Sequence, residues 1–147
     1  MINESLVFRR RVGAFFAACI GFLCFCLQSS AEVVDVDNAE LQRLINSGIP
    51  ILDIRTEPEW KETGIVPRSI GLTFFDEKGD YNIDEWMESL IQIVEIGDPI
   101  ILICRSGRRT KIVANYLSDR KNYKTVYNVQ NGIKGWISEG LPVNSYN

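Results

Sequence analysis

The chain is predicted to fold as an α/β domain of three layers, a mainly parallel central sheet flanked by helices on both faces. Two observations carry that prediction. Strand-like apolar runs alternate with stretches of helical periodicity from residue 32 onward, with no internal repeat and no low-complexity segment. The 147-residue chain also leaves room there for one compact core and no second. A β-α alternation of that length joins its strands by crossovers, which makes them parallel and buries the sheet between helices.

Val33-Val34-Asp35-Val36 is a β-branched strand signal. Asp37, with Glu40 three residues on, forms a capping-box pattern that starts a helix; Leu41, Leu44 and Ile45 keep its buried face up to Ser47-Gly48. Ile49 to Ile54 reads as a buried strand. Glu57 to Glu62 is a short polar turn of helix around Trp60, stopped by Gly64, and Ile70-Gly71-Leu72 is a weaker strand signal. Residues 75–82, rich in Asp, Gly, Lys and Asn, make a surface loop. Ile83, Trp86, Met87, Leu90, Ile91 and Val94 mark the buried stripe of a longer helix that ends at Gly97-Asp98-Pro99. Ile100 to Ile103 is the next buried strand. Ile112, Val113, Tyr116 and Leu117 predict the buried face of a helix beginning at the loop after it. Thr125 to Val129 is a strand, and Ile133 to Glu139 a last helix closed by Gly140.

The first 31 residues have the pattern of an export signal. Arg9-Arg10-Arg11 supply a positive start, Val12 to Leu27 an apolar stretch, and Ser29-Ser30-Ala31 a small-residue end, which predicts cleavage after Ala31. The domain is then residues 32–147, exported and periplasmic; the competing expectation is an uncleaved membrane anchor with the domain outside the cytoplasm. A lipoprotein signal at Cys19 and a twin-arginine signal fit less well. Cleavage removes Cys19, Cys24 and Cys26, so Cys104 becomes the sole thiol and no internal disulfide can form. The formal net charge is −3 and falls further once the arginine-rich segment is gone, which points away from nucleic acid as a partner.

Cys104 stands at the end of the apolar run and opens the loop Cys104-Arg105-Ser106-Gly107-Arg108-Arg109-Thr110. A cysteine between a strand end and a helix start sits among backbone N–H groups and the positive end of a helix dipole, which favour the thiolate. The sequence contains no histidine, which excludes Cys-His pairs, Ser-His-Asp triads and histidine-metal sites. Activation therefore falls to the arginines and the backbone amides. No metal and no cofactor is expected.

Three separated blocks resemble the rhodanese-like sulfurtransferase family, across nearly all of residues 32–147. They are Ile51 to Trp60 with its Asp53-x-Arg55, continuing into Gly64 to Ser69; the Cys104–Thr110 loop; and Asn131-Gly132-Ile133-Lys134-Gly135-Trp136 with Gly140-Leu141-Pro142-Val143. The resemblance implies a rhodanese-like fold and a sulfur relay. In that relay, Cys104 takes the outer sulfur of a small anionic donor such as thiosulfate, becomes a persulfide, and passes the sulfur to a nucleophilic acceptor, a protein or a small thiol. It further implies that the amides of Arg105, Ser106, Gly107, Arg108, Arg109 and Thr110 cradle the persulfide. Arg105 and Arg109 are expected in the pocket and Arg108 at its rim, while Asp53 and Arg55 brace the sheet end behind the loop and Trp136 packs. One departure from the family pattern is Gly64-Ile65-Val66-Pro67-Arg68-Ser69 where many members have Gly-His-Ile-Pro-Gly-Ala; Arg68 is expected to be solvated.

Two other functions fit this scaffold. A cysteine phosphatase or arsenate reductase uses a similar loop, but its Cys-x5-Arg pattern requires arginine at position 110, where this chain has Thr110; Arg109 closes a shorter Cys-x4-Arg loop, shaped for one sulfur atom. A non-catalytic binding or sulfur-carrier module is the other, and the presence of Cys104 weighs against a purely non-catalytic role.

Overall fold

The computed structural model describes residues 31–146, so all of the predicted signal segment but Ala31, its three cysteines included, lies outside the described residues. Five strands and five helices alternate among the described residues: β1 (Glu32–Val36), α1 (Asn38–Asn46), β2 (Ile51–Asp53), α2 (Glu57–Thr63), β3 (Ser69–Gly71), α3 (Ile83–Leu90), β4 (Ile100–Ile103), α4 (Arg108–Lys121), β5 (Thr125–Val129) and α5 (Gly132–Ser138). The strands form one sheet in the order β1-β5-β4-β2-β3, and every pairing is parallel. This is the predicted arrangement of a parallel sheet between helices.

Alternation along β4 assigns the two faces. Ile100, Leu102 and Cys104 join a core with Trp86, Met87 and Leu90 of α3 and Val113, Ala114 and Leu117 of α4. Ile101 and Ile103 pack on the other side with Leu41, Leu44 and Ile45 of α1 and Ile133 and Trp136 of α5. Because both faces are covered, β4 is apolar at every position and fully buried. It is also the middle strand, with β5 on one side and β2 on the other, so its carboxyl end opens at the centre of the sheet rim, where open α/β sheets place their ligands.

Local chemistry explains the helix starts. Asp37 accepts a hydrogen bond from the Glu40 N–H at 2.8 Å and caps α1. Asn82 does the same for α3. At α2, Thr56 and Glu59 make a capping box with Pro58 in the first turn.

Several expectations need correction. The strand predicted from Ile49 shortens to Ile51–Asp53, because the Ile49 N–H bonds back to Leu44 O and closes α1; Ile54 still bonds to Ile103 O at 3.0 Å. Helix α3 ends at Leu90, and Ile91 is 44% exposed instead of buried. It lies roughly 100° round the helix from Leu90, beyond the face filled by Trp86, Met87 and Leu90. Ile112 is 63% exposed and Tyr116 only half-buried; the buried stripe of α4 runs Thr110, Val113, Ala114, Leu117, Ser118. Small and hydroxyl side chains form three of those five positions, so its apolar periodicity is rotated away from its true face. Trp136 packs as expected, with its indole N–H donating to Pro142 O at 2.7 Å.

Candidate active site

The site is built where β4 runs out and α4 begins. Cys104 is buried at 1% exposure. The chain then turns through Arg105 and Ser106 to Gly107, which caps α4 in the left-handed region at φ 82°. A side chain at Gly107 would run into the Gln130 carbonyl. Only glycine satisfies both the conformation and that approach.

From the far end of the chain, α5 holds the loop. Ile133 N–H donates to Cys104 O at 2.8 Å, and Lys134 N–H donates to Arg105 O at 3.2 Å. Gly132, at φ 55°, lets the loop backbone lie against α5; a Cβ there would strike Cys104 O and the Arg105–Ser106 peptide. Gly107 O in turn accepts from Lys111 N–H at 3.1 Å and from the Thr110 hydroxyl at 3.0 Å. These bonds occupy the carbonyls of Cys104, Arg105 and Gly107. The N–H groups of residues 105–110, by contrast, meet no acceptor among the described residues. Six consecutive unclaimed amides curl beside one cysteine, a concavity suited to an anion.

The Cys104 Sγ lies 3.4 Å from the Thr110 Oγ1 in a fully buried contact. Arg109 is placed by Glu59 of α2: Nη1 donates to Oε2 at 2.9 Å and Nη2 to Oε1 at 2.6 Å. Burial works to raise the Glu59 carboxyl, but the hydrogen bonds from Arg109 and from the Thr56 N–H outweigh it and hold the group below its ordinary value. Arg109 is correspondingly raised, first by the Glu59 hydrogen bond and, less strongly, by Cys104. The guanidinium thus feels both the Glu59 carboxylate and, less strongly, the Cys104 sulfur. Arg105 and Arg108 are exposed and make no ion pair among the described residues. All three arginines line an open cavity of about 480 Å³ over the loop, with Ser106, Thr56, Glu59, Asp76 and Glu77.

Behind the loop, Arg55 and Asp53 form a fully buried ion pair at 2.6 Å. Arg55 also donates to the carbonyls of Glu59 and Gly64 and to the Thr63 hydroxyl. These side-chain bonds of Arg55 fasten α2 and the following turn to the end of β2. Since α2 carries Glu59, the pair reaches the loop indirectly, through Arg109. Arg68 adopts φ 71° and donates to Ile45 O at 3.0 Å, tying the turn before β3 to the end of α1 while its side chain stays mostly exposed.

Two functional residues escape a reading by sequence alone. Glu59 pairs with a residue 50 positions away, although the Thr56-x-x-Glu59 capping box is legible in the sequence. Gly132 belongs to the C-terminal block, and nothing in its neighbours announces that it seats the cysteine loop.

The profile of the Rhodanese-like domain matches residues 37–139, which spans all of these elements except β1. Thiosulfate sulfurtransferase 18 of Arabidopsis thaliana is 28% identical over 122 residues, covering 78% of this chain and 85% of its own. The uncharacterized protein RP600 of Rickettsia prowazekii is 31% identical over 107 residues, covering 67% of this chain and 85% of its own. Among solved structures, Rv0390 from M. tuberculosis superposes with a TM-score of 0.64 at 21% identity, over 80% of this chain and all of the other.

Proposed function

Because the chain belongs to the rhodanese-like domain family, we propose that it is a sulfurtransferase that carries a sulfane sulfur as a persulfide on Cys104. The observation that carries this reading is the set of six amides, residues 105–110, that meet no acceptor among the described residues and lie beside Cys104 at the carboxyl end of the central strand. With thiosulfate as donor, the Cys104 thiolate attacks the outer sulfur. A bond forms between Sγ and that sulfur, the sulfur–sulfur bond of the donor breaks, and sulfite leaves with the bonding pair. The amides and Arg109 then face a persulfide anion in a fixed geometry, so little reorganisation accompanies the charge shift. A nucleophilic acceptor, cyanide in an assay or a thiol of a small molecule or protein, attacks the outer sulfur and releases the Cys104 thiolate.

Burial of Cys104 supports the same reading, since a slim terminal sulfur reaches a recessed thiol more readily than a tetrahedral phosphate does. The domain is taken as exported, with cleavage after Ala31, and N-terminal sequencing of the native protein tests this.

Incubating the reduced protein with thiosulfate should add one sulfur atom to the Cys104 peptide, and cyanide should then yield thiocyanate. Cys104→Ser should abolish both. An unchanged rate in Cys104→Ser would overturn the proposal, and no sulfur gained by the wild type together with hydrolysis of a phosphoester would overturn it in favour of a phosphatase.

A further inference from the structure

The cavity over the cysteine loop carries charges of both signs in equal number: Arg105, Arg108 and Arg109 against Glu59, Asp76 and Glu77. Glu59 takes Arg109 in a two-pronged pair. That leaves Arg105 and Arg108 on the loop, facing a cavity whose other wall bears Asp76 and Glu77. None of these four makes an ion pair among the described residues, so their charges are free to meet a ligand. The acidic wall is also held in place. Asp76 Oδ1 accepts from the N–H groups of Lys78 and Asp80, both at 2.8 Å, and the turn is closed by Asp76 N–H to Asp80 O at 2.9 Å.

A dianion such as thiosulfate gains from the arginines and is repelled by the two carboxylates. A donor that bears a carboxylate and an ammonium beside its reactive sulfur uses both walls at once. We propose that the donor this site favours is a zwitterionic amino-acid hydropersulfide, with its carboxylate toward Arg105 and Arg108 and its ammonium toward Asp76 and Glu77. This rests on the sulfurtransferase reading above. The step balances: the Cys104 thiolate bonds to the outer, protonated sulfur, the sulfur–sulfur bond of the donor breaks, and the amino-acid thiolate departs with the pair, leaving Cys104–S–SH.

The test is the second-order rate of sulfur gain on the Cys104 peptide of the reduced full chain, followed by mass spectrometry with cysteine hydropersulfide and with thiosulfate. The wild type should react faster with the hydropersulfide. In the double variant Asp76→Asn, Glu77→Gln, the hydropersulfide rate should fall about two- to fivefold, the scale of exposed charge contacts, and the thiosulfate rate should rise by a similar factor. The asparagine side chain keeps an acceptor oxygen for the N–H groups of Lys78 and Asp80, so the variant should keep the turn, and an unchanged melting temperature verifies that. Both changes should shrink in high salt. Rates for the two donors that move in the same direction, or a wild-type preference for thiosulfate, would overturn the donor assignment while leaving the sulfurtransferase reading intact. Failure of Cys104 to gain sulfur from either donor overturns that reading itself.

Discussion

At the scale of single residues, the site is a division of labour around one sulfur. Thr110 sits below it and ties the loop to itself, Glu59 fixes the guanidinium beside it, and Gly132 gives the loop its seat. Thr110→Val removes the hydroxyl from a fully buried position and leaves Gly107 O with one bond fewer, which should slow persulfide formation by roughly two- to tenfold. Thr110→Ser should restore the rate, a rescue that separates the hydroxyl from mere packing. Gly132→Ala forces a side chain into a left-handed position against the Cys104 carbonyl and should destabilise by at least about 1–3 kcal/mol, measured by denaturant unfolding. The Cys104–Thr110 loop is legible in sequence because strand, thiol and helix start are adjacent there. Glu59 is not, because its partner arrives through the tertiary fold.

Elements are legible in proportion to how strongly apolar they are. β4 and β5 stand out, and α1 announces both its cap and its buried face. Helix α4 does not, because Thr110, Ala114 and Ser118 occupy its inner face while the bulky Ile112 faces water. This difference can be measured. Ile112→Glu should change stability by less than about 0.5 kcal/mol, whereas Leu117→Ala, at a fully buried position in the same helix, should cost about 2–5 kcal/mol. Equal losses from the two substitutions in chemical denaturation would contradict the helix orientation described here.

For the whole molecule, two paired carboxylates shape the response to acid. Asp35 joins β1 to β5 and α4 by accepting from Asn128 and Lys111, and those bonds, led by Asn128, hold it below its ordinary value; Glu59 is lowered beside Arg109. A carboxyl lowered in the folded state contributes stability that is complete above its unfolded value and lost as pH falls through its folded one. Melting temperature should therefore decline on acidification below the ordinary Glu59 value of 4.5, and Glu59→Gln should flatten that decline in melts taken across the range. Parallel strands between helices are readable from the alternation of signals. The order β1-β5-β4-β2-β3 is not, since no local pattern reveals which strands become neighbours.

That order makes the two ends of the described chain interdependent. β1 lies beside β5, and α5 closes over the cysteine loop. A growing polypeptide that has reached Cys104 still lacks the neighbour of its first strand and the amides that fasten its loop carbonyls. The ribosome thus handles the thiol before its loop is fastened. The bonds from Ile133 and Lys134 to the loop form only after those residues emerge, so the Cys104 loop takes its shape with completion of the fold.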